Sequence, residues 1–174
     1  RRFAELVAEL RPRRVLEIGT CKGGTLCVLC RLAAPDATIV SLDLPGGAYG
    51  GGYDAKRALV FRAFPRRGQR LHLVRGDSHL PQIRERVARA LGGEPLDLVF
   101  IDGDHSYAGV KADYEMYSPM VRAGGVVAFH DIVEHPPEYG VGVGRFWREI
   151  RGPGAVEIIA DPGQGWAGIG VLRR

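Results

Sequence analysis

Three cysteines in 174 residues, clustered at Cys21, Cys27 and Cys30, are too few and too odd in number for a disulfide framework. Cys27 and Cys30 form a C-x-x-C, but no second pair supplies the roughly four ligands of a structural zinc. A redox motif places its first cysteine at a helix N-terminus, whereas Cys27 falls a turn inside a helical pattern. Both read as small core-facing residues. No apolar run approaches the roughly 18 residues that span a bilayer, so no membrane partner is expected. The opening RRFAELVAELRPRR is amphipathic and charged, unlike a signal peptide, and the default location is the cytoplasm. There is no repeat, low-complexity tract or linker, and the length suits one domain over residues 1–174. A start on Arg1 in place of Met leaves open an N-terminally trimmed piece of a longer protein.

The charge is not concentrated either. The net charge of +4 comes mostly from arginine, dispersed apart from short clusters at 11–14 and 66–70. Nucleic-acid binders gather their basic residues on one face or stripe, so no nucleic-acid partner is expected. A solvated arginine-rich surface with a mild pull on anions is the plain reading. The apolar share of 45% is enough to bury a core.

What the chain does have is a regular alternation. Periodicity predicts strands at 13–19, 38–44, 71–77, 96–102, 124–131, 155–161 and 165–173. It predicts helices at 23–34, 54–64, 80–91, 107–121 and 143–151, with Ala58, Leu59, Phe61 and Phe64 as the apolar positions of the second. The last two strands are linked by PGQ, too short for a parallel crossover. The expected fold class is α/β: a Rossmann-like, doubly wound, seven-stranded, mostly parallel sheet with a C-terminal antiparallel hairpin. In such sheets ligands sit beyond the carboxyl ends of the strands. Those ends are Glu17-Ile18-Gly19, Leu42-Asp43, Gly76-Asp77-Ser78, Asp102-Gly103-Asp104 and His130-Asp131. Each carries an acid or a glycine that a plain strand does not need.

The first turn, VLEIGTCKGG, has glycines at 19, 23 and 24, where a ligand can approach the backbone. The spacing is G-x-x-x-G-G, not the dinucleotide-binding G-x-G-x-x-G. Glu17 before the turn suits an ammonium group and would repel a pyrophosphate. Asp43 ends the second strand, where a carboxylate can accept both ribose hydroxyls. A ligand with an amino-acid end and a nucleoside end satisfies both, and S-adenosylmethionine has both.

At this point the chain resembles the class I S-adenosylmethionine-dependent methyltransferases. The likeness is to the catechol-O-methyltransferase-like group and related bacterial biosynthetic small-molecule O-methyltransferases. The segments that carry it are VLEIGTCKGGTL, SLDLPGG, RGDSH, LDLVFIDGDHSY and GGVVAFHD, across about residues 13–131. The resemblance implies that Glu17, Gly19 and Thr25 meet the methionine end and that Asp43 holds the ribose. It places Asp77, Ser78 and His79 around the adenine, with Thr20, Cys21, Gly23, Leu44, Gly76 and Asp102 completing the cofactor set. Plainer roles stand beside these. Gly19 and Gly23 can serve packing, Asp43 can cap a turn, Asp77 or Ser78 can cap the next helix, and Thr25 can be an ordinary early-helix hydroxyl.

Methyl transfer needs a positioned acceptor and a way to remove its proton. Asp102, His130 and Asp131 close adjacent strands and can converge on a divalent metal, magnesium or manganese. In the resembled metal-dependent group an acid follows the fourth strand, and an acid–amide or acid–acid pair ends the fifth. His130 departs from that pattern and shifts the preference away from magnesium. Asp104 and His105 are the candidate catalytic bases. His105 holds the place of a lysine in catechol-type enzymes, and Asp104 that of an aspartate in related sugar methyltransferases. Asp104 can equally cap the helix near Ser106. DGDH stands where amino-methylating relatives carry Asn/Asp-Pro-Pro-aromatic, which favours an oxygen acceptor, a sugar or natural product. The glycine-rich loop 45–53 reads as a lid or a surface excursion. Residues 135–145 are expected on the acceptor side, with Tyr139, Phe146 and Trp147 either stacking on substrate or, for the last two, in the core. A homo-oligomer is expected, with a partner subunit able to complete the pocket. The alternatives are a hydroxylase-type relative on this fold and a non-catalytic cofactor-binding module.

Overall fold

The computed structural model describes residues 1–46, 52–161, 163 and 165–174. The expected glycine-rich lid falls largely on 47–51, outside the described residues. Along the chain the elements are α1 (Arg2–Leu10), β1 (Arg14–Ile18), α2 (Gly24–Leu32), β2 (Thr38–Asp43), α3 (Ala55–Phe61), β3 (Arg70–Arg75) and α4 (Pro81–Ala90). They continue as β4 (Leu96–Ile101), α5 (Tyr107–Tyr117), β5 (Val121–His130), α6 (Val143–Ile150), β6 (Val156–Ile158) and β7 (Ile169–Arg173).

The strands form one sheet in the order β3-β2-β1-β4-β5-β7-β6. β1 to β5 are parallel, and β7 runs antiparallel to both β5 and β6. The chain moves outward from β1 to β3, returns to β4 beside β1, and then moves the other way. That reversal opens a crevice at the carboxyl ends of β1 and β4.

Strand parity distributes the core. In β4, Leu98 and Phe100 pack with Phe3 and Val7 of α1, Leu26, Leu29 and Cys30 of α2 and Phe61 of α3. Val99 and Ile101 pack with Ile83 and Val87 of α4, Val110 and Tyr117 of α5 and Phe146 and Trp147 of α6. Both faces are covered, so the central strands read as unbroken apolar runs. Glu17 shares the parity of Val15 and therefore falls on the α1–α3 side, fully buried. Phe146 and Trp147 belong to the core: Phe129 lies 6.2 Å from the first ring and 5.8 Å from the second. Each such ring pair adds about 0.5–1.5 kcal/mol beyond burial.

Three boundaries differ from the expectation. The helix predicted to 121 stops at Tyr117, because Pro119 turns the chain through a 3₁₀ turn at Ser118–Met120, and β5 starts early at Val121. Asp54 caps α3 by accepting from the Arg57 N–H at 2.8 Å, but the helix ends at Phe61 and leaves Leu59 64% exposed. The closing strands are shorter than predicted, and the link runs over 159–168. The carbonyls of Ala167 and Gly168 accept from Val133 and Ile132, so this stretch pairs with the segment after β5 and not with β6.

Candidate functional site

Gly19 sets the crossing of β1 and β4. It has φ +85°, and a Cβ there would lie 1.9 Å from the Asp102 carbonyl oxygen. No side chain fits, so glycine lets the two strand ends close up. Beyond them opens a cleft of about 460 Å³, a size suited to a small ligand. Gly19, Cys21, Asp43, Leu44, Gly76, Asp77, Ser78, His79, Asp102, Asp104, His105, His130 and Asp131 line it.

On the β1–β3 side the polar groups are already tied down. The Asp43 carboxylate accepts from the Cys21 N–H at 2.9 Å through one oxygen and from the Gly52 N–H at 3.2 Å through the other. It thereby clips the turn after β1, where Cys21 takes φ 47°, to the segment before α3. Asp77 accepts from the His79 N–H at 2.9 Å, and the Tyr117 hydroxyl donates to the Ser78 carbonyl at 2.9 Å. Beneath the floor, the Thr20 hydroxyl donates to Glu17 Oε2 at 2.7 Å and lies 2.6 Å from Ser41 Oγ. Glu17 Oε1 has no partner. Burial pushes the Glu17 carboxyl up to about 8; the Thr20 hydroxyl opposes this, and the Asp102 and Asp43 charges reinforce it.

Four of the expected cofactor residues do not line the cleft. Glu17 and Thr20 lie in the buried network below it. A Cβ on Gly23 would lie 2.4 Å from the Phe61 ring, so this glycine serves the packing of α2 on α3. Thr25 is half-buried on the first turn of α2.

On the β4–β5 side imidazoles and carboxylates face each other. His105 Nε2 lies 3.3 Å from Asp102 Oδ1, and its Nδ1 lies 3.1 Å from Asp131 Oδ2. His130 Nδ1 lies 3.0 Å from Asp131 Oδ1 and 3.3 Å from Asp102 Oδ1. No hydrogen bond of good geometry forms at that nitrogen, so the contact is one of charge. The Asp102 contact raises the His105 ring above its ordinary value, against burial and with help from Asp131. Burial alone would lower His130, but the Asp102 and Asp131 carboxylates outweigh it and push the ring up to about 10. Asp131 is held below its usual range despite burial, by His130, His105 and His135.

Among the described residues, Asp102, His105 and Asp131 bring one donor atom each within 4.8 Å of the others, a spacing a metal ion can bridge. The expected metal set named His130 in place of His105; both imidazoles are present here. Asp104 stands at the cleft rim, tied into the turn before α5. It is exposed, accepts from the Ser106 N–H at 2.8 Å, and leaves Ser106 itself to cap α5 by accepting from the Gly109 N–H. Tyr139 is 60% exposed, while the segment that follows it docks through Gly142, whose N–H donates to the His105 carbonyl at 2.8 Å.

Two residues were missed. His135 Nε2 lies 3.6 Å from Asp131 Oδ1. Its signal was a third histidine four residues past a strand-end aspartate. Asp113 on α5 is fully buried, with neither oxygen hydrogen-bonded and His79 Nε2 3.5 Å away. Burial pushes it up to about 6, against the pull of Ser78 and His79. Its signal was an acid in the Val110, Asp113, Tyr117 core stripe.

A family profile described as "Methyltransferase domain" matches residues 16–132, and the chain belongs to this family. Rhamnosyl O-methyltransferase of Mycobacterium tuberculosis is 27% identical over 150 residues, covering 83% of this chain and 56% of that protein. Another curated relative is covered to only 16% of its length. Among solved structures, cofactor-bound Rv0187 from MTB superposes with TM-score 0.67 at 27% identity, over 97% of this chain and 75% of that one. The mycinamycin-pathway methyltransferase MycE, in complex with Mg, S-adenosylhomocysteine (SAH) and Mycinamycin VI, has TM-score 0.53 at 25% identity, over 75% and 33%.

Proposed function

We propose that this chain is the S-adenosylmethionine-binding, methyl-transferring part of an O-methyltransferase acting on a hydroxyl of a small molecule, a sugar or a natural product. The observation that carries the reading is Asp43. It closes β2 beside the β1–β4 crossing, and two backbone N–H groups fix its carboxylate at the cleft wall. A carboxylate so placed accepts ribose hydroxyls. Asp43, Asp77, Asp102, Asp104 and Asp131 give the cleft an acidic lining. That lining favours a sulfonium with an ammonium group over a pyrophosphate. MycE was solved with SAH and Mycinamycin VI, and the Mycobacterium tuberculosis relative is named a rhamnosyl O-methyltransferase, which supports the choice of acceptor class.

Proton removal is assigned to His105. Both its nitrogens lie against carboxylates, inside the cleft, whereas Asp104 is engaged in the turn before α5. A divalent cation fits the donors: carboxylates from two strand ends converge with imidazoles, and the buried His130 Nδ1 lacks a hydrogen-bond partner. Asp102 and Asp131 would hold it, and when bound it lowers the pKa of an acceptor hydroxyl. With Asp102 and Asp131 engaged by such an ion, His105 would be neutral, and one ring nitrogen can take the hydroxyl proton and orient the oxygen.

A second reading, oxygen chemistry on the same fold, draws on the two imidazoles and a carboxylate, a donor set that also suits non-heme iron. Incubation with methyl-labelled S-adenosylmethionine and a panel of hydroxylated sugars and phenols separates the two. Label transfer to oxygen supports the first reading. Oxygen consumption without cofactor turnover replaces it with the second, and SAH binding without any transfer leaves a binding module.

A further inference from the structure

Folding gathers charge that is dispersed along the sequence. Residues 55–90 hold ten lysines and arginines against two acids, Asp77 and Glu85, while the rest of the chain holds 14 basic and 18 acidic residues. Among the described residues none of those ten forms an ion pair, whereas Arg13, Arg122, Arg145, Arg148 and Arg151 elsewhere do. An uncompensated excess of one sign strains the fold by self-repulsion and attracts a partner of the other sign.

The basic segment surrounds an open sheet edge. β3 is an outermost strand of the sheet and pairs with β2 alone. A groove of about 380 Å³ lies along it, lined by residues 71–74 of the strand, by Arg62 just past α3, and by Arg86 and Arg89 of α4. No carboxylate lines it, and it shares no residue with the cleft at the strand ends. Arg62 and Arg89 are exposed, and neither guanidinium has a hydrogen-bond or charge partner among the described residues.

The backbone of this edge is unpaired in a definite pattern. The Arg70 N–H donates to the Ala37 carbonyl and the Gly76 N–H to the Asp43 carbonyl. Parallel pairing engages every second residue, and the register from Arg70 to Arg75 is unbroken, so 70, 72 and 74 turn to β2. The N–H and C=O groups of Leu71 and Leu73 therefore point outward, into the groove. Arg75 agrees with this phase: its carbonyl accepts from Nη1 of the groove residue Arg86 at 3.3 Å. Neither a proline nor a bulge closes the strand. The two walls differ. The side chains of Leu71 and Leu73 pack with the α1–α3 core, and Leu59, 64% exposed, stands one helical turn before Arg62. On the other side Val74 packs with Ile83 and Val87 of α4, whose exposed residues include Arg86 and Arg89.

We propose that the β3 edge docks an extended acidic segment of a partner protein, added beside β3 as a further strand, with alternate side chains apolar towards α3 and acidic towards Arg86 and Arg89. Such strand addition takes its affinity from main-chain hydrogen bonds and its specificity from alternate side chains. Leu71 and Leu73 supply the first, and the unlike walls supply the second. A nucleic acid fits less well. The outward carbonyls need donors, which phosphates do not offer, and no Phe, Tyr or Trp lines the groove for base stacking. The docking edge is separate from the cleft, so it does not depend on the methyl-transfer reading.

The test uses a fluorescently labelled peptide of alternating glutamate and valine, matched to the six residues of β3, and two forms of it N-methylated at every glutamate or at every valine. An added strand bonds through one edge only, so one N-methylated form should bind about tenfold or more weaker and the other within about threefold. Arg86→Glu combined with Arg89→Glu should weaken the unmodified peptide about tenfold or more at about 0.05 M salt, with thermal melts confirming the fold. On wild type, hydrogen exchange at the Leu71 and Leu73 amides should slow when the peptide is added; if the double variant does not fold, this measurement decides. No binding of the peptide at about 1 mM, equal binding of the two N-methylated forms, or unchanged exchange at Leu71 and Leu73 overturns the proposal. A single-stranded DNA of equal charge that binds more tightly and displaces the peptide also overturns it, and makes the groove a nucleic-acid surface.

Discussion

The two sides of the cleft are built on opposite terms. At the ends of β1, β2 and β3 the cleft-lining carboxylates accept from backbone N–H groups, Asp43 from two and Asp77 from one, and the Ser78 carbonyl accepts from a tyrosine hydroxyl; the imidazole on this side, His79, stands 3.7 Å from Asp77 and 3.5 Å from Asp113. At the ends of β4 and β5 the same kinds of carboxylate are met by imidazoles at 3.0–3.6 Å. The carboxylates of the first side are held in place by the chain's own backbone, as suits a cofactor seat. The second holds opposed charges in close balance, which is how groups that must exchange a proton or accept a cation are kept.

The sharpest way to break this contrast is at the crossing that joins the two sides. Gly19→Ala forces a Cβ against the Asp102 carbonyl at φ +85° and should cost at least about 4 kcal/mol, lowering the melting temperature by about 10 °C. A melt within about 2 °C of wild type would mean the two strand ends do not meet as described. Next come the bases. His105→Gln should lower methyl transfer about 100-fold or more while leaving SAH affinity within about threefold. Asp104→Asn should change stability by less than about 0.5 kcal/mol, because the amide oxygen still accepts from the Ser106 N–H, and should cost little rate. The reverse ranking would move the base to Asp104.

Glu17 tests the buried floor through pH. Its carboxyl rises from 4.5 to about 8 on folding, so the folded state favours the protonated form. Its contribution to stability is full below pH 4.5 and is lost as the pH rises towards 8. Glu17→Gln removes that loss. The variant should gain on wild type between pH 5 and pH 8.5, by on the order of 4 kcal/mol at most, as read by denaturant titration at both values. A constant gap between the two proteins would contradict the buried acid. The smallest effect belongs to Thr25→Val, which should leave SAH affinity within about twofold. A larger loss would return Thr25 to the cofactor seat.

The alternation of strands and helices was legible because both faces of the sheet are covered. Apolar runs such as LDLVFI and glycine or acid at each strand end therefore mark the layers and the ligand edge directly. Which strand-end residue faces the cleft was less so. Glu17 and Asp43 look alike in sequence and share a sheet face, yet Glu17 pairs opposite Ser41 and is buried under the floor, while Asp43, two residues further towards the carboxyl edge at the end of β2, reaches the wall. Gly23 carried a ligand reading by spacing, whereas its requirement is the Phe61 ring, a contact 38 residues away that no local pattern reports. His135 was hidden for the same reason: its partner relation to Asp131 depends on the left-handed turn at Asp131 itself. The closing antiparallel hairpin was legible, but its strands are shorter than expected because backbone pairing with Ile132 and Val133 claims residues that periodicity assigned to β7.

The central claim is that the ends of β1 and β2 seat S-adenosylmethionine through Asp43. Calorimetric titration with SAH tests it most directly, using wild type and a folded Asp43→Ala variant. The account predicts one saturable site in wild type and a loss of about 100-fold or more in the variant, the scale of two charge-assisted hydrogen bonds. No binding to wild type at high micromolar SAH, or equal affinity in the two proteins, would contradict it.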